Sequence, residues 1–255
     1  MKKIGFYAMT GLIIAANHAA AQAIHDEGAV TIKSQWPIQN AMGFTYTLPV
    51  NNYYSVGFNA QVGLPFQPYT RNLIELSVQG NEVARTYLKE NLLGKPGVGL
   101  GVDLNYRKWS LSLVYQSLNY YIDKKNVREL TENLIPEQND YILTDLSNLA
   151  DRSPAFASIY NNYRISSQVY NHQFGLLAGY TFSFRRFNLI KFRIEAGAFS
   201  TFDTRIRFVS ENSNSITDLA LAYVEPSLNN SLKENTEWRF IPSVSLSVRH
   251  VLFGR

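Results

Sequence analysis

Neighbouring residues of this chain belong to opposite chemical classes, and the alternation persists through most of its length. From Tyr54 the even-numbered residues read Tyr54, Val56, Phe58, Ala60, Val62 and Leu64, set against Ser55, Gly57, Asn59, Gln61 and Gly63. From Val98 they read Val98, Leu100, Val102, Leu104 and Tyr106, against Gly99, Gly101, Asp103, Asn105 and Arg107. From Ile190 they read Ile190, Phe192, Ile194, Ala196 and Ala198, against Lys191, Arg193, Glu195, Gly197 and Phe199. A period of two places one class on each face of a β-strand. Such a sheet needs two unlike surroundings, and a barrel that is greasy outside and wet within supplies both.

Eight segments alternate in this way: 29–38, 42–50, 53–64, 98–107, one opening at Trp109, 170–184, 188–202 and 238–252. Each approaches the ~9–11 residues of a tilted transmembrane strand. The first turns Val30, Ile32, Trp36 and Ile38 outward, and the fifth Trp109, Leu111, Leu113 and Tyr115. The phase of the fifth slips at Ser117 and Leu118, which predicts a β-bulge there. Segment 73–79 (Ile74, Leu76, Val78) and segment 200–209, in outward phase through Ile206 and Phe208, read as sheet above the membrane. Counting them as spans gives ten strands as the alternative. Segments 82–93 and 127–134 read as short amphipathic helices.

The connections are lopsided. Asn51-Asn52, Arg107-Lys108 and Arg185-Arg186-Phe187 make short turns, while 65–97, 123–167 and 203–237 are long. Long loops on one side and short turns on the other are the outer-membrane pattern, with the short turns in the periplasm. An even count leaves both termini on the short side and lets the first strand pair with the last, removing edges that lipid cannot satisfy. The expected fold is therefore all-β: a closed, antiparallel, up-and-down transmembrane barrel of about eight strands, with helices in its extracellular loops.

At the N-terminus Lys2 and Lys3 precede an apolar run from Ile4 to Ala16, followed by Ala19-Ala20-Ala21 or Ala21-Gln22-Ala23. This is the layout of a signal peptide cleaved after residue 21 or 23, leaving 22–255 as a single barrel domain exported to the bacterial outer membrane. There is no cysteine, so neither a lipid-anchored cysteine nor a disulfide framework is available. Formal charge is +4, or +2 once Lys2 and Lys3 are removed, which is too balanced for a nucleic-acid partner.

Alternation alone also fits a soluble barrel with an apolar interior, and three details favour lipid outside. The polar face is mainly Gly, Ser, Asn and Thr, which suit the cramped bore of about eight strands. Aromatics gather near strand ends, with Trp36, Tyr46, Tyr54, Tyr106, Trp109, Tyr170 and Trp238 forming an expected interfacial girdle. The mid-strand charges Asp103, Arg193 and Glu195 share the small-residue face, whereas a charge turned to lipid at mid-depth costs ~2–4 kcal/mol. In pattern and topology the chain resembles the small eight-stranded outer-membrane barrels of the OmpA-transmembrane-domain and OmpX type, and the PorT-like outer-membrane β-barrel family. The resemblance implies a structural, interaction or secretion-accessory role, with outer-membrane lipid and the barrel-assembly machinery as partners. It departs from them at its end, where the alternation Val244, Leu246, Val248 is in phase with Leu252 and not Phe253.

Candidate chemistry is sparse. His172 faces outward near the loop end of its strand, but Phe174 stands where a serine would complete a nucleophile pair, and Ser247 and His250 point to opposite faces. The few histidines and absent cysteines leave no His/Cys metal cluster. Gly97-Val98-Gly99-Leu100-Gly101 lacks the spacing and helix of a phosphate loop. No catalytic, cofactor or metal site is expected. Lys33, Asp103, Arg107, Lys191, Arg193, Glu195, Arg239 and Arg249 share the odd phase. We read Asp103, Arg107, Lys191, Arg193, Glu195 and Arg239 as a lumen charge network plugging the bore, the alternative being an anion-leaning pore. The long loops are the expected site for a protein partner. The expected function is non-enzymatic, with a small-solute channel as runner-up and an envelope-lipid enzyme third.

Overall fold

A computed structural model of the protein describes residues 26–76, 81–135, 140–183, 189–210 and 215–253. The expected signal peptide and the turn Arg185-Arg186-Phe187 lie outside the described residues. Nine strands are present among the described residues: β1 Glu27–Trp36, β2 Gln39–Pro49, β3 Tyr54–Leu64, β4 Leu92–Lys95, β5 Gly97–Tyr106, β6 Trp109–Asn126, β7 Arg164–Ser183, β8 Ile190–Ser210 and β9 Ile241–Phe253. Eight of them close a ring in the order β6-β5-β3-β2-β1-β9-β8-β7, with β7 pairing back to β6, and every pairing is antiparallel. The short β4 adds only to the upper part of β6, pairing Leu92–Lys95 with Asn119 to Ile122. Followed through paired residues from Gln173 to Gln116, Gly99, Gln61, Gly43, Thr31, Arg249 and Lys191, the ring returns to β7 at Ser183, a stagger of ten residues. A stagger of this kind tilts the strands and sets the narrow radius of the bore.

The outer face is apolar all round. Ile32, Met42, Phe44, Val62, Leu100, Leu104, Leu113, Leu176, Ile194, Val244 and Leu246 are all exposed, while Lys33, Thr45, Asp103, Ser112, Arg193, Glu195, Ser245 and Ser247 are buried within. An apolar belt encircling the molecule far exceeds the patches that monomeric soluble proteins leave open to water. Hydrocarbon is the solvent that fits it, so the ring is a transmembrane β-barrel. Among the described residues no helix is long and apolar enough to cross a membrane; the crossing is made by strands.

Turn chemistry agrees with the short side. Asn51 Oδ1 accepts from the backbone N–H groups of Tyr53 (2.8 Å) and Tyr54 (2.9 Å), closing an Asx turn between β2 and β3. Arg107 adopts the left-handed conformation (φ 54) that a two-residue hairpin demands.

On the opposite side the wall is uneven. β6, β7 and β8 have 18, 20 and 21 residues, against 10 to 13 in the other ring strands. Behind this tall wall sit helices α1 Gln67–Glu75, α2 Glu82–Asn91, α3 Val127–Leu134, α4 Asp140–Arg152, α5 Pro154–Asn162 and α6 Ser215–Thr236. Local chemistry starts them. Asn81, Asn126 and Ser153 cap α2, α3 and α5 by accepting from Val83, Glu129 and Phe156 N–H at 2.9, 2.6 and 3.3 Å. Pro lies in the first turn of α1 and α5. Their apolar faces (Leu73, Leu88, Leu130, Leu134, Leu146, Val224, Leu228, Leu232) converge with Leu118, Tyr120, Ile122, Ile165 and Val169 of the wall into one buried core. Each such leucine stabilises the cap by ~1.5–3 kcal/mol.

Four expectations need correction. Segment 73–79 opens as helix and not as sheet: Leu73 and Ile74 are buried residues of α1, and residues 77–79 lie outside the described ones. The expected bulge is not in β6 itself, which pairs with β7 in unbroken register from Trp109 to Ile122. The irregularity at Ser117 and Leu118 lies on the other side, where the partner steps from Gly99 (opposite Gln116) to Lys95 (opposite Asn119), four residues against three. What changes there is the interior: Leu118, Tyr120 and Ile122 still face in, but onto the apolar cap rather than the polar bore. A bulge within a strand lies at Phe202, because Gln173 pairs with Thr201 while His172 pairs with Asp203. The extra residue reverses the faces beyond it, so Ile206 and Phe208 pack inward against the core and Arg205 and Arg207 are exposed. Ile38, expected to face lipid, is likewise buried in that core.

Candidate functional site

The interior of the barrel is built in tiers. The lowest is ionic. Arg193 and Glu195, two residues apart on β8 and so on one face, meet Asp103 of β5, Lys33 of β1 and Arg249 of β9. Arg193 Nη1 lies 2.6 Å from Asp103 Oδ2, and its Nη2 lies 2.6 Å from Glu195 Oε1. Lys33 Nζ is 2.7 Å from Glu195 Oε2, and Arg249 Nη2 is 3.1 Å from Asp103 Oδ2. Neutral donors complete the carboxylates: Ser112 and Ser245 hydroxyls reach Glu195 at 3.3 and 3.0 Å, and Asn59 Nδ2 reaches Asp103 at 3.3 Å. Buried charges persist only when paired and hydrogen-bonded, and these are both. Gly179 makes the room: a Cβ there would fall 3.0 Å from Glu195 Cγ and 3.1 Å from Arg193 Nε.

Above it lies a tier of amides. Gln39 Nε2 donates to Gln116 Oε1 (3.2 Å), Gln116 Nε2 to Gln173 Oε1 (3.0 Å), and Gln173 Nε2 to the Thr201 hydroxyl (3.2 Å). Gly63 permits this too, since its absent Cβ would lie 1.8 Å from Gln39 Oε1. A cavity of ≈ 30 Å³, lined by Lys33, Thr45, Gln61, Asp103, Glu195 and Arg249 among others, remains beside these tiers. That is room for about two waters. The helical cap forms the third tier and is tied to the wall by Asn171 Nδ2, which donates to the Thr236 carbonyl at 2.7 Å.

The cap holds two buried phenols. Tyr87 donates to Glu129 Oε1 at 3.2 Å, and burial first, then the negative charge of Glu129, holds its pKa well above the usual tyrosine value. Tyr160 shares a 3.1 Å hydrogen bond with the Thr131 hydroxyl, and burial raises its pKa as well.

Of the expected network, Asp103, Arg193 and Glu195 meet directly, and Lys191 pairs lower down with Glu27. Two members fall elsewhere. Arg107 sits in the β5–β6 turn over the rings of Tyr53 and Tyr106 (5.0 and 5.6 Å), and Arg239 is exposed in the connection before β9. Odd phase placed both in the lumen only if the strand continued to them, and it ends at Tyr106 and begins at Ile241. Of the expected girdle, Trp36, Tyr54, Tyr106 and Trp109 are exposed on the outer face, with Tyr46 and Tyr170 partly so. Trp238 is not among them: it is buried in the cap core, edge-on to Tyr120 at 6.0 Å between centroids.

His172 lies outside, its Nδ1 2.8 Å from the Tyr115 hydroxyl. Across the strand pair stands Ser117, but its hydroxyl donates to Asn119 Oδ1 at 2.8 Å. Among the described residues no serine–histidine hydrogen bond forms at this rim. The glutamine tier is a feature that sequence reasoning missed, although Gln39, Gln61, Gln116 and Gln173 each stand in phase with the small inward residues.

Fold and interior together define a transmembrane β-barrel whose bore is occupied by its own side chains and roofed by its own loops. No protein-family model matches the chain, and no curated protein matches it. Among solved structures it is similar to Acinetobacter baumannii CarO2, with a TM-score of 0.37, 7% identity, and coverage of 90% of this chain and 99% of that one. A major outer membrane protein from Thermus thermophilus gives a TM-score of 0.38 at 9% identity, covering 88% of this chain and 98% of that one. Acinetobacter baumannii CarO gives 0.33 at 9% identity, covering 88% and 96%. At such scores the likeness carries no argument, and the fold class rests on the closed sheet itself.

Proposed function

We propose that this is a non-conducting, non-enzymatic protein of the bacterial outer membrane that displays a folded helical cap at the cell surface. Its role is structural or interaction, of the kind an accessory to secretion or envelope assembly performs, with the cap as the surface for a protein partner. Outer-membrane lipid surrounds it, and the barrel-assembly machinery inserts it. One observation supports this most: charged and amide side chains meet across the bore, and the cavity beside them, ≈ 30 Å³, has room for about two waters, less than a hydrated solute needs. The half-buried His172 has no serine hydrogen-bonded to it among the described residues, which argues against acyl transfer at the outer rim.

A second reading, a narrow anion-leaning pore, draws on the ionic tier itself, where Lys33, Arg193 and Arg249 outnumber Asp103 and Glu195. Planar-bilayer recording of the refolded protein separates the two. Silence at moderate voltages supports the sealed barrel; stable unitary currents that reverse toward the anion potential in a salt gradient support the pore.

A further inference from the structure

The reversal of faces at Phe202 gives the tall wall an outer surface unlike the belt beneath it. Cross-strand pairing sets Lys95, Asn119, Tyr170 and Arg205 side by side in one outward row across β4, β6, β7 and β8. The row above it carries Leu93, Tyr121, Gln168 and Arg207. Lys95 Nζ lies 4.6 Å from the centre of the Tyr121 ring, and the Tyr170 hydroxyl donates to Gln168 at 2.5 Å. These two rows and the Ser117–His172–Asp203 row below contain a single carboxylate, Asp203, which Arg205 engages at 2.7 Å. Arg207 has no ion pair among the described residues. Beneath the Ser117–His172–Asp203 row, Phe174 and Phe202 stack at 4.7 Å, and Leu176 is exposed one position further down.

We propose that this face binds a phosphorylated lipid of the outer leaflet. Its phosphate groups are held by Arg205 and Arg207 at one end of the rows and Lys95 at the other, with hydrogen bonds from the Asn119 and Gln168 amides between them, and its acyl chains lie on Phe174, Phe202 and Leu176. The cationic shelf stands one row above the hydrocarbon-facing surface, with the intervening Asp203 neutralised by Arg205, and this nearness selects the ligand. A soluble anion uses only the shelf and a neutral lipid only the belt, whereas a phosphorylated lipid uses both. Only this side of the barrel has strand rising above the belt among the described residues, so the site is single. The inference rests on the reading of the long-loop side as the outer one.

The test measures retention of lipid A, against phosphatidylcholine, by native mass spectrometry of the protein released from neutral detergent. The wild type is expected to keep lipid A and shed phosphatidylcholine. K95Q/R205Q/R207Q is expected to lose more than tenfold of that preference, at about fivefold for each cation near a headgroup plane. R207Q alone serves if the triple variant does not fold, and R128Q, which removes a cation from the cap, should change nothing. Equal retention by wild type and R207Q overturns the site, as does an effect of R128Q equal to that of R207Q. Inorganic phosphate displacing lipid A at the concentration where it binds alone also overturns it, by showing an anion site with no lipid. Failure of the underlying reading looks different: R128C, on the exposed face of a long-loop helix, would stay unlabelled by a membrane-impermeant maleimide on intact cells, whatever lipid the protein retains in detergent.

Discussion

Arg193 of β8 and Asp103 of β5 stand three strands apart around the ring, yet their side chains meet at 2.6 Å in the middle of the bore, both buried. This contact ties the wall together across the lumen rather than along it, and the other members of the tier depend on it unequally. Three cations share two carboxylates, so each carboxylate serves two cations while Lys33 and Arg249 serve one carboxylate each.

That imbalance makes the two partners unequal under mutation. Asp103→Asn leaves three cations, Lys33, Arg193 and Arg249, with Glu195 as their one carboxylate, and breaking a buried pair in this sense costs ~3–5 kcal/mol. Arg193→Met leaves two balanced pairs, Lys33 with Glu195 and Arg249 with Asp103, and is expected to cost clearly less. Urea unfolding in lipid vesicles, followed by tryptophan fluorescence, gives the order. A variant of Arg193 less stable than that of Asp103 would contradict the count.

The cap and the barrel bury different cores and should fail separately. Leu130 of α3 is fully buried in the core that the cap helices share with the tall wall. Leu130→Ala is expected to weaken the cap by ~2–5 kcal/mol. Hydrogen exchange should then accelerate in α2, α3 and α6 while the amides of β1, β2 and β9 keep their protection. Loss of protection in both regions together would show one cooperative unit.

Alkali should act on the same cap. Tyr87 and Tyr160 have raised pKa values in the folded state. Their contribution is therefore complete below the unfolded tyrosine value of about 10 and is lost as pH rises beyond it. A tyrosinate titration at 295 nm, carried from about pH 9 upward through that value, is expected to show a late, cooperative component coincident with loss of helical circular dichroism. Tyr87→Phe removes the linkage of that residue and should reduce the steepness of the transition. A transition equally steep in that variant would mean the phenol is not the group responsible.

How far the sequence reveals this architecture depends on what each face meets. Lipid is uniform, so the outward residues of β3, β5 and β9 are legible as unbroken alternation. The lumen is not uniform. Where the polar bore gives way to the apolar cap, Leu118, Tyr120 and Ile122 keep their inward direction but change class, which reads as a slipped phase. Leu73 and Ile74 alternate with polar neighbours over too short a stretch to distinguish a strand from the helix they form. Trp238 lies in sequence where a strand would end at the interface, and only the fold of α6 brings it beneath the cap. The ionic tier is legible because burying Asp103, Arg193 and Glu195 on one face demands pairing. The glutamine tier is not, because neutral amides in phase with glycine and serine make no such demand.

The bulge at Phe202 can be tested directly because the chain contains no cysteine, so each introduced thiol is the only one. With the bulge, position 206 faces the cap core and positions 205 and 207 face out. Without it, the unbroken alternation of β8 would send 206 and 208 outward and turn 205 inward. R205C and R207C are therefore expected to react rapidly with a membrane-impermeant maleimide on intact cells. I206C should react only after the cap is unfolded, because its thiol lies beneath the helices. Rapid labelling of I206C with protection of R205C would restore the uninterrupted register. It would also remove the cationic rows from the outer face of the wall, because their placement there depends on the same extra residue.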